Sequence, residues 1–282
     1  MNPFQNKVAV ITGAASGIGR GLAEKAAALG MGIVIADVDR KGLQQVEEQL
    51  RANGTQVVAQ YTDVSEFESV DALANVAFNT FGAVNLLFNN AAILVDGLSW
   101  ERSIEDWRWS LDVNIMGVVH GMKAFIPRML KTQEECVVIN TASNGGLLSG
   151  PFLAPYQATK HAVVTISEAL YFELQSMNSN VRAAVLCPGD VATKIWESER
   201  IRPDSYGRKA DFSTGVEAHS REIIEGMVAK GMSPQQLADI VFEQIAAGKF
   251  WIITHPEFLK PMLEMRISAI MEDRNPKLPD YL

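Results

Sequence analysis

The residues of this sequence best suited to chemistry are a tyrosine and a lysine four positions apart. Tyr156 and Lys160 fall in a segment predicted to be helical, where positions i and i+4 share one face. An ammonium group beside a phenol favours the phenolate and lowers the tyrosine pKa from about 10. Such a tyrosine can exchange a proton with an alcohol or a carbonyl oxygen. Taken alone the spacing is common, and a surface pair is the plainer interpretation.

A serine thirteen residues before the tyrosine strengthens the chemical interpretation. Ser143 lies at the C-terminal edge of the predicted strand 136–143. In an open α/β sheet, that edge faces the ligand crevice. The serine hydroxyl can donate a hydrogen bond to a substrate oxygen and stabilise developing charge. Without the tyrosine, a helix cap or a turn residue would be the preferred interpretation of this serine.

A glycine-rich turn near the N-terminus has the composition of a phosphate site. The segment TGAASGIG (12–19) ends one predicted strand and opens a predicted helix. Glycines allow a tight turn and let backbone N–H groups approach a pyrophosphate, and the helix N-terminus adds unpaired donors and a favourable dipole. No Lys-Ser/Thr follows, which argues against a nucleotide triphosphatase loop. The predicted cofactor-binding residues of this turn are Gly13, Ser16, Gly17, Ile18 and Gly19.

An acidic residue at the end of the second predicted strand bears on the kind of cofactor. Asp37 stands eighteen residues after Gly19. A carboxylate there can accept hydrogen bonds from an adenosine ribose diol, and it would repel a 2′-phosphate. The sequence therefore favours NAD over NADP. Arg40 and Lys41 could blur this preference, although surface charges on the first turn of a helix are their plainer interpretation.

The elements that must position these residues follow from an alternation of short apolar runs and helical patterns. Continuous β-branched runs are typical of strands buried on both faces of a parallel sheet, and alternation with helices indicates a doubly wound α/β fold. We therefore expect one domain over 1–282. The predicted strands are 7–12, 32–37, 56–61, 84–90, 136–143, 181–189 and 249–254, and the predicted helices are 17–29, 40–52, 66–81, 103–130, 156–177 and 234–247.

Two segments break this alternation. Residues 194–232, between the sixth and seventh strands, are polar with scattered aromatic residues and show no strand pattern. Long insertions in compact domains are often functional loops, so we expect a substrate lid. The tail 255–282 is expected to form an amphipathic helix over 256–272 and then an extended arm.

Composition excludes several classes of protein. The chain has 282 residues, 48% hydrophobic and 21% charged, with a formal net charge of −8. This acidic balance argues against nucleic acid or an anionic membrane as a partner, and no apolar run approaches the roughly 18 residues of a membrane span. The two cysteines and four histidines lack disulfide or metal-ligand spacing. We expect a cytoplasmic protein without a metal.

Taken together, these motifs resemble the classical short-chain dehydrogenase/reductase family. The resemblance implies a Rossmann-type sheet of seven strands in the order 3-2-1-4-5-6-7, a nicotinamide cofactor, and hydride transfer between a secondary alcohol and NAD. The matching residues occur in the family's order and spacing over about 5–195: TGAASGIG (12–19), Asp63-Val64, NNAA (89–92), Asn114, Ser143, YQATK (156–160) and PGDVAT (188–193).

The resemblance also implies a role for each matching residue. Tyr156 is the general acid/base, Lys160 lowers its pKa and bonds the nicotinamide ribose, and Ser143 orients the substrate oxygen. Asn114 holds a water that links Lys160 to solvent. The remaining cofactor contacts are Asp63 and Val64 at the adenine, Asn90, Ala91 and Ala92 along the crevice, and Pro188, Gly189, Val191 and Thr193 at the nicotinamide.

The sequence departs from the family pattern at two places. Ala92 replaces the glycine of N-N-A-G, where a methyl group should be tolerable. The segment THPEFLKP replaces the D-G-G ending after the seventh strand. In many relatives that region builds a tetramer interface, so a homodimer and a homotetramer both stay open.

The expected substrate is a small-molecule alcohol or ketone that is bulky and hydrophobic or aromatic, because the predicted pocket residues are mostly apolar. For each of these residues, however, packing in the hydrophobic core is an equally good explanation. Alternative functions are an NADP-dependent carbonyl reductase, a non-catalytic dinucleotide-binding regulator, and an epimerase or dehydratase on the same scaffold. The predicted substrate-binding residues are Ser143, Gly145, Phe152, Tyr156 and Trp196.

Overall fold

A single parallel sheet organises the computed structural model, which describes residues 2–207 and 215–277. Its strands follow the order β3-β2-β1-β4-β5-β6-β7. This order confirms the predicted Rossmann-type doubly wound fold, and all seven predicted strands are present. The strands are β1 (Val8–Thr12), β2 (Gly32–Asp37), β3 (Val57–Tyr61), β4 (Leu86–Asn89), β5 (Cys136–Thr141), β6 (Val181–Cys187) and β7 (Trp251–Ile253).

Helices connect the strands and cover both faces of the sheet. Each predicted helix is present, although 103–130 forms as two α-helices joined by a π-helical turn at Asp112–Met116. The α-helices are α1 (Gly17–Ala28), α2 (Arg40–Ala52), α3 (Phe67–Phe81), α4 (Ile104–Leu111), α5 (Gly117–Thr132), α6 (Ala154–Ser176), α7 (Gly215–Ala229), α8 (Pro234–Ala246) and α9 (Pro256–Met271).

Two apolar layers hold the helices against the sheet. Ala9 and Ile11 of β1 pack in the layer that contains residues of α1, α2 and α8. Val10, between them, packs in the opposite layer with residues of α3, α5 and α6. Side chains of a strand alternate between faces, so a strand buried on both faces must be apolar throughout. This requirement explains the continuous apolar runs of the sequence.

The strand order reverses between β1 and β4, and this reversal opens a crevice at the carboxyl edge of the sheet. Asn90, just after β4, joins the two strand ends. Its backbone N–H donates to Thr12 Oγ1 at 2.9 Å, and its side-chain Nδ2 donates to the Thr12 carbonyl at 2.9 Å. The strand ends are thereby fixed beside the crevice.

The insertion at 194–232 is more ordered than the sequence indicated. It contains 3-10 turns at Ile195–Ile201 and Asp204–Tyr206, followed by α7. A parallel bridge between Val191 and Met232 closes its base. Part of the predicted lid, 208–214, lies outside the described residues.

The tail forms the expected helix. α9 (Pro256–Met271) matches the predicted 256–272. The end of the predicted arm, 278–282, lies outside the described residues.

Both cysteines, Cys136 and Cys187, are buried and free. Within 2–207 and 215–277, no helix has the length and apolar character needed to cross a bilayer, and no group of three or more His, Cys, Asp or Glu side chains could hold a metal ion.

Candidate active site

A cavity of about 740 Å³ runs along the carboxyl edge of the sheet. One side, the sheet-edge wall, consists of the turns that follow β1 to β6. The other side, the insertion wall, consists of residues from 194–206, from α7 and from the start of α9. Every predicted cofactor-binding residue lines the cavity: Gly13, Ser16, Gly17, Ile18, Gly19, Asp37, Asp63, Val64, Asn90, Ala91, Ala92, Tyr156, Lys160, Pro188, Gly189, Val191 and Thr193.

The turn between β1 and α1 has the shape of a phosphate cradle. Gly17 has a φ of +53°, and a Cβ on it would lie 3.0 Å from the Thr193 side chain. A Cβ on Gly19 would overlap the carbonyl oxygen of Gly13. Ser16 does not cap α1 with its side chain, and the first turn has no acidic residue. The helix N-terminus therefore faces the cavity with its backbone donors and dipole, which fits a pyrophosphate.

Asp37, the last residue of β2, is held in a fixed orientation beside this cradle. Its Oδ2 accepts the Ala15 N–H at 2.9 Å, and its Oδ1 accepts the Asp39 N–H at 2.9 Å. Burial raises the pKa of Asp37, and the two backbone hydrogen bonds oppose that rise. Arg40 stacks on Tyr61, with its guanidinium carbon 3.7 Å from the ring centroid. Arg40 does not line the cavity, in agreement with its interpretation as a surface charge.

The tyrosine, lysine and serine predicted to act together do meet at the cavity. Ser143 follows β5, and its Oγ accepts the Gly145 N–H at 3.0 Å. It therefore caps the 3-10 turn Asn144–Gly146. A Cβ on Gly145 would lie 3.5 Å from the Ser143 Oγ and 3.6 Å from the Tyr156 ring, so the serine hydroxyl and the tyrosine lie close together. The Lys160 Nζ lies 5.6 Å from the Tyr156 ring centroid and donates to the Thr141 carbonyl at 2.8 Å.

Burial is the main cause of the pKa shifts of Tyr156 and Lys160. It raises the pKa of Tyr156, against a hydrogen bond from Ser143 that lowers it. It also lowers the pKa of Lys160 to about 7. The sequence-based expectation was that Lys160 would lower the tyrosine pKa below its ordinary value. The structure differs, because removal from water disfavours the charged form of both groups.

Asn114 lies beside the site rather than on the cavity. It is buried in the π-helical turn, a rare geometry that often marks functional sites. Its Oδ1 accepts the Ile93 N–H at 2.8 Å, and its Nδ2 donates to the Ile93 carbonyl at 2.9 Å and to Thr159 Oγ1 at 3.0 Å. The side chain therefore ties the loop after β4 to α6, next to the tyrosine and lysine.

Trp196 was predicted to contact substrate, and the structure does not bring it to the cavity. The tryptophan is the second residue of the 3-10 segment Ile195–Ile201, which is kinked at Glu197. Ile195, Ser198, Arg200 and Ile201 of this segment line the cavity, and Trp196 does not. The predicted substrate residues Ser143, Gly145, Phe152 and Tyr156 do line the cavity.

The insertion wall contains residues that the sequence reasoning missed. The α7 members recur at i, i+3, i+4, i+7 and i+8, a helical spacing that could have revealed the helix and its inner face. The cavity-lining residues of α9 could not be predicted, because their position depends on how that helix packs against the rest of the domain. The missed residues are Ser220, Ile223, Ile224, Met227 and Val228 from α7, and His255 and Phe258 at α9.

Buried polar contacts fix the first part of the insertion to the body of the domain. The Arg202 Nη1 lies 2.6 Å from Asp106 Oδ1, and both side chains are almost fully buried. The Ser198 Oγ accepts the Leu94 N–H at 2.9 Å. Tyr206 donates its hydroxyl to Asp112 at 3.0 Å. These contacts hold 194–206 against the loop after β4, α4 and the π-helical turn.

Comparison with known proteins identifies the class to which this fold and site belong. A family model described as short chain dehydrogenase matches residues 7–204. A solved structure of a short chain dehydrogenase/reductase from Burkholderia phymatum, in complex with NAD, is 43% identical, covers 99% of each chain and has a TM-score of 0.95. The chain therefore belongs to the short-chain dehydrogenase/reductase family.

Two curated relatives extend the comparison. The CLA biosynthesis dehydrogenase/reductase of Lactiplantibacillus plantarum is 35% identical, over 98% of this chain and 97% of the relative. The cyclohexanol dehydrogenase of an Acinetobacter species is 35% identical, over 73% of this chain and 83% of the relative. Family membership makes the chain an oxidoreductase related to dehydrogenases that act on hydroxyl groups.

Proposed function

We propose that this protein is an NAD-dependent alcohol dehydrogenase that transfers a hydride between a secondary alcohol and the nicotinamide. The observation that carries the proposal is the juxtaposition of Ser143 and Tyr156, both of which a Cβ on Gly145 would contact, with the Lys160 Nζ 5.6 Å from the tyrosine ring centroid, beside a glycine cradle. The relative solved with NAD and the relative named for cyclohexanol support it.

The chemistry follows from the roles that these side chains can take. When bound, NAD supplies the nicotinamide carbon that accepts the hydride. Ser143 donates a hydrogen bond to the substrate oxygen, and the deprotonated Tyr156 accepts the hydroxyl proton as the carbonyl forms. Lys160 favours the phenolate when it is charged. In the reverse direction, Tyr156 returns the proton to the carbonyl oxygen.

Two further assignments belong to this proposal. A proton relay from Lys160 to solvent at Asn114 stays a prediction. Because Ile93 and Thr159 already form hydrogen bonds with the Asn114 side chain, a bridging water would bond to its backbone.

Asp37, with both carboxylate oxygens oriented, would accept hydrogen bonds from the ribose hydroxyls of NAD. The cytoplasmic location and the homodimer or homotetramer also stay predictions, the latter checked by light scattering.

The substrate is proposed to be bulky and hydrophobic. Apolar residues form much of the cavity beyond Tyr156, and they come from both walls. The insertion 194–232 would act as the substrate lid, since it supplies one wall and is anchored to the body of the domain. Apolar residues of these walls include Leu148, Phe152, Ile224, Met227 and Phe258.

A panel of alcohols tests the proposal. Purified protein is mixed with NAD or NADP and secondary alcohols that range from small polyols through cyclohexanol to aryl carbinols and steroids, and absorbance is followed at 340 nm. We expect turnover with a bulky apolar alcohol and a higher kcat/KM with NAD. Cofactor binding without turnover of any alcohol or ketone would support the regulator. Conversion of a substrate without net NADH release would support an epimerase or dehydratase.

A further inference from the structure

The two residues that follow β7 lie beside the loop that follows β6. The two strands are parallel, and their register pairs Cys187 with Ile253. The chain segments that come next, 188–189 and 254–255, therefore leave the same edge of the sheet as neighbours. Thr254 is buried there, and His255 lines the cavity.

Thr254 and His255 hold Gly189 by direct contact. The Gly189 N–H donates to the Thr254 Oγ1 at 3.2 Å, and this oxygen lies 2.7 Å from the His255 Nδ1. A Cβ on Gly189 would lie 2.6 Å from the same ring nitrogen, so the imidazole packs directly on the glycine backbone. His255 stands at the start of α9, but its ring does not cap that helix. The ring is turned to the threonine and the glycine instead.

The turn after β5 holds the same loop from its other side, because β6 lies between β5 and β7 in the sheet. The Asn144 N–H donates to the Pro188 carbonyl at 2.7 Å. A Cβ on Gly189 would lie 3.1 Å from the Asn144 Nδ2. The neighbouring Ser143 caps this turn with its side chain. The loop 188–189 is therefore fixed between the serine turn and the two residues that follow β7.

We propose that Thr254 and His255 are positioning residues, which hold the loop 188–189 in the conformation that receives the nicotinamide. The inference rests on the proposed function, which assigns this loop to the nicotinamide. Both residues act through Gly189 rather than on the reacting atoms. A loop that is already ordered avoids the cost of ordering when the cofactor binds. A fixed loop also keeps the nicotinamide at a constant place relative to Ser143, and small displacements of reacting groups lower the rate.

Equilibrium binding of two ligands tests this role without turnover. NADH contains the nicotinamide and ADP-ribose lacks it, and isothermal titration calorimetry measures the affinity of both. Thr254→Val keeps the shape of the side chain but removes the oxygen that accepts the Gly189 N–H. We expect this variant to weaken NADH binding by about fivefold, the usual effect of one hydrogen bond. ADP-ribose binding should change by less than about twofold, because that ligand does not need the loop.

Three further variants separate the hydrogen bond from other effects. Thr254→Ser restores the hydroxyl and should recover the affinity for NADH. His255→Ala removes the ring that packs on Gly189, so it should weaken NADH binding and leave ADP-ribose binding unchanged. Thr165→Val, at an exposed threonine of α6, is the matched control and should change neither affinity.

The pattern of affinities decides the outcome. If Thr254→Val and His255→Ala bind NADH as the wild-type protein does, the inference is overturned. Equal weakening of NADH and ADP-ribose also overturns it, because such a loss does not come from the nicotinamide loop. If the expected pattern is found but no alcohol is oxidised, the proposed reaction fails and the positioning role stands. A wild-type protein that binds neither ligand would refute both.

Discussion

The two walls of the cavity are built by different means. The sheet-edge wall consists of strand ends and the short turns that directly follow them. The insertion wall depends on contacts between residues far apart in the chain, such as Arg202 with Asp106 and Arg221 with Asp96, at 2.6 and 2.8 Å. The shape of the sheet-edge wall is therefore specified by local sequence, whereas that of the insertion wall depends on how the insertion packs against the rest of the domain. We therefore expect substitutions in the sheet-edge wall to lower the rate of catalysis. Substitutions in the insertion wall should instead change stability and substrate selectivity.

The largest effect is expected at the sheet-edge wall. Tyr156→Phe removes the proposed proton acceptor and should lower kcat by about 10²–10⁴-fold, the usual contribution of general acid–base catalysis. NADH binding should change by less than about twofold, because the ring remains in place. Steady-state kinetics and fluorescence titration measure the two quantities. Tyr171→Phe, a tyrosine that packs against Phe250, is the matched control, and substantial activity in Tyr156→Phe would refute the assignment.

The next effect is expected at the insertion wall. Arg202→Met leaves the buried Asp106 without its ionic partner, and breaking a buried pair in this way costs about 3–5 kcal/mol. Urea unfolding should show this loss of stability, with a higher KM for alcohols. The control is Arg274→Met, whose pair with Glu272 is exposed and should contribute little to stability. An Arg202→Met/Asp106→Leu double variant should recover part of the loss. Equal stability of both single variants would contradict the anchoring role.

A dependence of stability on pH is expected from the buried lysine. Burial lowers the pKa of Lys160 from 10.5 to about 7. Between these two values the unfolded chain binds more protons than the folded chain. The free energy of unfolding should therefore rise with pH in this window, by about 1.4 kcal/mol per pH unit for a single group. Urea unfolding at pH 7, 8 and 9 measures the slope. Lys160→Met should flatten it, and an identical slope in both proteins would argue against the lowered pKa.

The smallest effect is expected from a side chain of α7. Met227 lines the cavity, and truncation to Ala removes apolar contacts of about 1 kcal/mol. Met227→Ala should raise KM for a bulky alcohol by about fivefold and leave KM for NAD unchanged. Met177→Ala, an exposed methionine at the end of α6, is the control. If Met227→Ala raised KM for the alcohol and KM for NAD equally, Met227 would not be specific to the substrate.

The predictability of the site follows the same division. Gly17 and Asp37 were found because backbone conformation and strand position require those residue types locally. Trp196 does not line the cavity. Which residues of its 3-10 segment face inward could not be predicted, because the sequence pattern did not reveal that segment. The titration of Tyr156 was misjudged because burial depends on the elements packed around it. The helical spacing of α7 was present in the sequence, but the polar residues before it obscured the pattern.

The bridge between Val191 and Met232 gives the insertion the properties of an exchangeable module. Its two ends leave the domain side by side, so a replacement of different length would start and finish at the same points, and loop closure would add little entropic cost. Substrate range could then be altered by transplanting 194–232 without rebuilding the sheet.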